Sequence, residues 1–169
     1  MTEKKKNLSE QEALPDGSKF KIGIAVSKWN PEITNALLEG AKETLLNAKV
    51  PEDHIKVVYV PGSFELPIAA KMLLQTEGFD GILALGCVIK GETSHNEYIN
   101  NAVANGLTQL SLVSGKPCIF GVLTPNDMQQ ALDRAGGKYG NKGHEAAATA
   151  LQMIHLKKSL AEPKSKIGY

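Results

Sequence analysis

GILALGCVIKGETSHNEYI, residues 81–99, is the stretch from which the fold can be read. Gly81 to Ile89 is apolar throughout, as a strand buried on both faces of a parallel sheet requires. Polarity begins at Lys90. A Gly91-Glu92-Thr93-Ser94 turn follows, then His95, and a helical pattern resumes at Glu97. A buried strand therefore hands over to a helix through a loop carrying a glycine, two hydroxyls and a histidine. In an open α/β sheet, ligands bind outside the carboxyl ends of the strands, so this loop is the first place to look for chemistry.

Three further apolar runs flank it. Phe20 to Val26, Ile55 to Val60 and Pro117 to Leu123 read as strands, and helical patterns separate them. After the first strand, Asn30 is expected to cap a helix with Pro31 in its first position. Ile33, Leu37, Ala41, Leu45 and Ala48 mark its inner face. A second helix is expected from about Phe64 to Glu77, with Pro67 tolerated in its first turn. A third carries Ile99, Val103, Leu107, Leu110 and Val113 and stops near Gly115. Thr124-Pro125-Asn126 is expected to cap a short helix over 127–135. The segment Gly136 to Gly143 reads as a loop, and a last helix runs from about His144 to Leu160. Four strands alternating with helices imply a three-layer α/β/α sandwich around a mainly parallel four-stranded sheet of flavodoxin-like type.

Size and composition fit one domain. The chain has 169 residues, 42% of them hydrophobic and 22% charged. We expect a flexible N-terminal arm over 1–18, a single domain over 19–161 and a tail over 162–169. A net charge of +1 creates no field that favours nucleic acid or an anionic membrane. The longest apolar run is far below the roughly 18–20 residues of a membrane span. The first twenty residues contain no hydrophobic core of a secretory signal. Cys87 and Cys118 lie in apolar runs, which suits free thiols in a cytoplasmic protein.

Polar and aromatic residues collect at the expected carboxyl ends of the strands. Trp29, the one tryptophan, follows the first and suits stacking on a flat heterocycle. Ser63, Phe64 and Glu65 follow the second. Gly91, Glu92 and Thr93 open towards a helix, where free N–H groups can hold an anion. His95 stands beside them, and histidine is the side chain suited to giving and taking a proton near neutrality. Arg134 is the only arginine among 19 basic residues and leads into a loop rich in glycine and lysine, as a phosphate site would. That loop lacks P-loop spacing, the chain has no GxGxxG, and the four histidines do not have zinc-ligand spacing. Each of these residues also has an ordinary structural explanation; their convergence on one edge is the stronger signal.

Five segments, SKWN (27–30), PGSFELP (61–67), GCVIKGETSH (86–95), IFGVLT (119–124) and RAGGKYGNKGHEAA (134–147), occur in an order and spacing that resembles the 6,7-dimethyl-8-ribityllumazine synthase family of riboflavin biosynthesis. The resemblance covers about residues 20–160. It implies condensation of 5-amino-6-(D-ribitylamino)uracil with 3,4-dihydroxy-2-butanone 4-phosphate, without metal or organic cofactor. By the same resemblance, His95 is the proton donor and acceptor. Glu92, Thr93 and Arg134 hold the phosphate, and Trp29 stacks on the ring in place of a commoner phenylalanine. Ser63, Phe64 and Glu65 bind the ribityl chain. Cys87, Val88 and Ile89 line the pyrimidine through their backbone, and Phe120 and Lys142 approach the heterocycle. The family's site lies between neighbouring subunits of a pentamer. Twelve pentamers often form a sixty-subunit shell, which is the assembly expected here. The N-terminal arm is expected to add a strand to a neighbour, and riboflavin synthase is a candidate partner. A flavin-holding domain without catalysis is the main competing possibility.

Overall fold

A computed structural model describes residues 13–76 and 78–163. Four parallel strands form the central sheet: β1 (Ile22–Ser27), β2 (Ile55–Val60), β3 (Gly81–Cys87) and β4 (Cys118–Leu123), in the order β2-β1-β3-β4. The helices are α1 (Pro31–Asn47), α2 (Leu66–Thr76), α3 (His95–Ser114), α4 (Met128–Arg134) and α5 (Lys142–Ala161). Between α4 and α5, Ala135–Gly137 (β5) and Gly140–Asn141 (β6) pair antiparallel.

Side-chain alternation along the strands splits the core in two. Ile22, Ile24 and Val26 on β1 join Leu83, Leu85 and Cys87 on β3 under α1 and α5. Ala25, Ile82 and Ala84 face the other way, under α2 and α3. Because both faces are covered, β1 and β3 are buried at every position. Their period-2 pattern is therefore hidden in a continuous apolar run. The two helix layers press closely: a Cβ on Gly143 of α5 would collide with the Leu37 carbonyl oxygen of α1.

The registers place all four carboxyl ends at one edge, with Ser27 opposite Val60 and Cys87 opposite Leu123. The chain runs outward from β1 to β2 and then back past β1 to β3. The strand order thus reverses between β1 and β3, the crevice where such sheets bind ligands.

The expected sandwich is present, and several local expectations change. Asn30 holds the position before α1 but makes no side-chain cap; its backbone is left-handed, with φ 54° and ψ 60°. The second helix, expected from about Phe64, is preceded by a 3₁₀ turn over Ser63–Glu65, and α2 proper begins at Leu66. α3 begins at His95, two residues before the resumption expected at Glu97. The cap of α4 is Asp127, whose carboxylate accepts the Gln130 N–H at 2.8 Å, one residue beyond the expected Thr124–Asn126. The expected loop over 136–143 is the β5–β6 hairpin plus the start of α5. Gly136 (φ 110°) and Gly140 (φ 83°) turn it, and Asn141 caps α5 through the Gly143 N–H at 2.7 Å. Residues 13–18 of the expected arm lie against the domain, since the Gly17 N–H reaches the Ala48 carbonyl at 2.7 Å and Leu14 packs on the core. Arm residues 1–12, with their expected strand addition, and tail residues 164–169 lie outside the described residues.

Candidate functional site

Two clefts open at the carboxyl edge. The first, about 560 Å³, sits where β1, β2 and β3 end. β1 supplies Trp29, whose indole is 70% exposed and rests against Gly62; a Cβ there would lie 3.2 Å from indole Cδ1. The turn after β2 supplies Ser63, Phe64 and Glu65. Glu65 Oε2 accepts the Gly62 N–H at 2.9 Å, which fixes this turn. Phe64 is exposed, whereas Ser63 is only 6% exposed and its Oγ has no hydrogen-bond partner within the described structure. Ser63 fits under β3 only because residue 86 is glycine: a Cβ there would stand 2.5 Å from Ser63 Oγ.

Past the end of β3, Val88 N–H donates to Leu123 O at 2.8 Å and Lys90 N–H to Pro125 O at 3.0 Å. The segment Cys87 to Ile89 therefore forms a backbone wall held by its β4 neighbour. Burial pushes the Cys87 thiol up to about 11, so it stays neutral at physiological pH. Its contribution to the wall is shape and backbone, not a thiolate. The turn to α3 brings Thr93 and His95 to the same cleft, and the His95 N–H lies 3.4 Å from Thr93 Oγ1. Ser94, at the cap position, makes no side-chain cap; of the first-turn donors of α3, the His95 N–H faces Thr93 Oγ1 and the Glu97 N–H donates to Ser94 O at 3.0 Å.

The second cleft, about 790 Å³, lies along β4, α4 and the hairpin. Phe120, Arg134 and Lys142 line it. Arg134 ends α4, and Lys142 begins α5 and pairs with Glu145 at 3.0 Å. Tyr139 has two cations near its ring, with Arg134 Cζ 5.5 Å and Lys138 Nζ 5.1 Å from the ring centre.

Most of the expected residues thus fall in two groups that one chain does not bring together. Trp29, Ser63, Phe64, Glu65, Cys87, Val88, Ile89, Thr93 and His95 line the first cleft; Phe120, Arg134 and Lys142 line the second. Glu92 lies exposed on the turn beside Thr93 and lines neither. Asn30, read from the sequence only as a helix cap, also lines the first cleft with Asn96, and Tyr139, given no role from the sequence, lines the second. An aromatic within a glycine-lysine loop was the available signal for Tyr139. Two histidines outside the clefts have partners within the fold: His54 Nδ1 with Phe20 O at 3.1 Å, and His144 Nδ1 with Thr44 Oγ1 at 2.8 Å.

The family model for 6,7-dimethyl-8-ribityllumazine synthase matches residues 19–158. The chain belongs to this family. It is 49% identical over 152 residues to the 6,7-dimethyl-8-ribityllumazine synthase of Parabacteroides distasonis, covering 89% of this chain and 95% of the relative. It is 50% identical over 155 residues to that of Cytophaga hutchinsonii, covering 91% and 98%. The chain is accordingly an enzyme of the lumazine synthase type. Among the described residues no helix is long and apolar enough to cross a membrane, and no cluster of His, Cys, Asp and Glu could hold a metal ion.

Proposed function

We propose that this lumazine synthase family member condenses 5-amino-6-(D-ribitylamino)uracil with 3,4-dihydroxy-2-butanone 4-phosphate, at sites completed between neighbouring subunits of a five-fold ring in the cytoplasm. The products are 6,7-dimethyl-8-ribityllumazine, phosphate and water. The observation that carries the reading is the division of the chemistry between two clefts. One holds an exposed indole, a backbone wall and a histidine at the start of α3. The other holds the only arginine. A phosphate held by both needs two chains, and a head-to-tail ring presents the second cleft of one subunit to the first cleft of the next.

The chemistry follows from the parts. The flat uracil lies between Trp29 and the Cys87–Ile89 backbone, with Phe120 and Lys142 of the neighbour closing over it. The ribityl hydroxyls meet Ser63, Phe64 and Glu65. Arg134, Thr93 and the turn at Glu92 take the phosphate. The 5-amino group attacks the ketone, water and then phosphate depart, and closure by the ribitylamino nitrogen with loss of a second water gives the new ring. His95 moves the protons. Holding two reactants in one orientation supplies most of the acceleration, since amine and ketone condense without a strong base.

Assembly has its own support. Tyr98, Leu112 and Val113 on α3 are 73%, 79% and 88% exposed, more than large apolar side chains on one helix of a monomer usually are. The ring is read as one of twelve in a sixty-subunit shell, with riboflavin synthase as a candidate companion.

A complementation experiment tests the shared site. His95→Ala and Arg134→Ala subunits are each assayed alone for lumazine absorbance with both substrates. They are then unfolded, mixed equally and reassembled. If neighbours share sites, about a quarter of the mixed sites regain both residues and activity rises accordingly. Activity no higher than the mean of the two parents defeats the shared site. Absence of turnover in the wild-type chain defeats the reaction itself.

A further inference from the structure

Asn30 is the N-cap residue of α1, but its side chain makes no bond to the helix backbone N–H groups. Its side chain instead spans the crevice, where Nδ2 donates to the Cys87 carbonyl at 3.1 Å. Successive residues of a strand direct their backbone groups to alternate sides. Ile82 and Val88 direct theirs to the β4 side, through Pro117 O and Leu123 O, so Cys87 directs its carbonyl towards β1. There β1 has ended at Ser27, and the chain is turning into α1. The Asn30 amide supplies a donor where the ladder stops.

The backbone at Asn30 narrows the choice of residue. At φ 54° and ψ 60° it is left-handed, a conformation that most side chains resist and asparagine tolerates. Aspartate tolerates it too but cannot donate. Glycine adopts it freely but has no side chain to reach Cys87. Asparagine meets both demands at once. Its neighbour Trp29 carries the exposed indole over Gly62, while Cys87 begins the opposite backbone wall.

We propose that Asn30 is a positioning residue: its amide, bonded to the Cys87 carbonyl, fixes the spacing between the Trp29 platform and the Cys87–Ile89 wall, and so sets the affinity for the flat ring substrate. This rests on the lumazine synthase reading of the first cleft. The phosphate substrate is held elsewhere, by the α3 turn and Arg134, and does not depend on that spacing.

The test compares the wild-type chain with Asn30→Gly and Asn30→Asp. Initial rates of lumazine formation are measured with each substrate varied in turn, alongside thermal unfolding. Asn30→Gly keeps the backbone and loses the amide, and its KM for the ribitylaminouracil is expected to rise about tenfold, the upper worth of one neutral hydrogen bond. Asn30→Asp places an acceptor against an acceptor and is expected to raise it further. The KM for the butanone phosphate is expected to stay within about twofold in both. A purely structural role would lower the melting temperature and move both KM values alike, or neither; either result overturns the proposal. If Asn30→Asp fails to fold, Asn30→Gly decides alone. A wild-type chain that forms no lumazine overturns the underlying reaction and this inference with it, a failure distinct from wild-type turnover that the variants leave untouched.

Discussion

The Arg134 guanidinium lies 5.5 Å from the centre of the Tyr139 ring, held there by a hairpin whose tip is pinned by a 2.7 Å bond from the Tyr139 N–H to the Asp133 carbonyl. The ring gives a long, exposed cation a surface on which to rest, which reduces the rotamer freedom lost on binding a phosphate. An exposed contact of this kind is worth about 0.5–1 kcal/mol. Tyr139→Ala should therefore raise the KM for the phosphate substrate about two- to fivefold and leave kcat nearly unchanged. Tyr139→Phe, which keeps the ring, should behave as wild type. Steady-state kinetics with the phosphate substrate varied would decide; an unchanged KM in Tyr139→Ala removes the role.

Arg134 and His95 should separate cleanly by kinetics. Arg134→Ala loses charge-assisted bonds of about 1.5–3 kcal/mol and should raise the KM for the phosphate substrate about ten- to a hundredfold. His95→Ala should act on kcat, slowing turnover by no more than ~10²–10⁴ because acid–base help is only part of the acceleration. Normal kinetics in both variants would remove both roles.

The strands and the long helices were legible because their burial writes itself into the sequence. Ile55–Val60 was read to the residue, and Gly115, at φ 64°, ends α3 where expected. The hairpin at 135–141 was not legible. Its strands are three and two residues long, too short to show alternation, and glycine makes up much of both. Asn30 was legible as the N-cap of α1, but the direction of its side chain was not, because an asparagine before Pro31 looks the same whether its amide faces α1 or Cys87. The members of the site were legible as residue types at strand ends. Their division into two groups, Phe120, Arg134 and Lys142 against the rest, came only through the family resemblance, because it depends on which side of β4 the α4 hairpin lies and residue periodicity does not record that.

Cys87 gives the fold an alkaline signature. Its pKa rises from an ordinary 9.0 to about 11 in the folded state. The folded chain therefore holds the thiol proton through a range in which the unfolded chain has released it. The sign is that stability is full below about pH 9 and is lost as the pH climbs to 11, by up to about 2–3 kcal/mol. Denaturant unfolding of the wild type and of Cys87→Ala at pH 7, 9 and 10.5 should reveal a flatter dependence in the variant. Parallel curves would mean that the thiol is not the cause.

Gly143 should be among the least replaceable residues of the helix layers. A Cβ there runs into the Leu37 carbonyl, which is backbone and cannot swing aside, and also meets Asn141 Oδ1 at 2.9 Å. Asn141 is itself committed twice, capping α5 through the Gly143 N–H and donating to Ala36 O at 2.9 Å. Gly143→Ala should therefore separate α5 from α1 and cost at least ~1–3 kcal/mol, the usual range for overpacking. That separation would also move Lys142 at the lip of the second cleft. Thermal unfolding of Gly143→Ala should show the loss, with Ala147→Gly on α5 as a comparison that lacks the collision but removes a buried methyl. A Gly143→Ala chain that melts with the wild type would mean that α1 and α5 can part without cost.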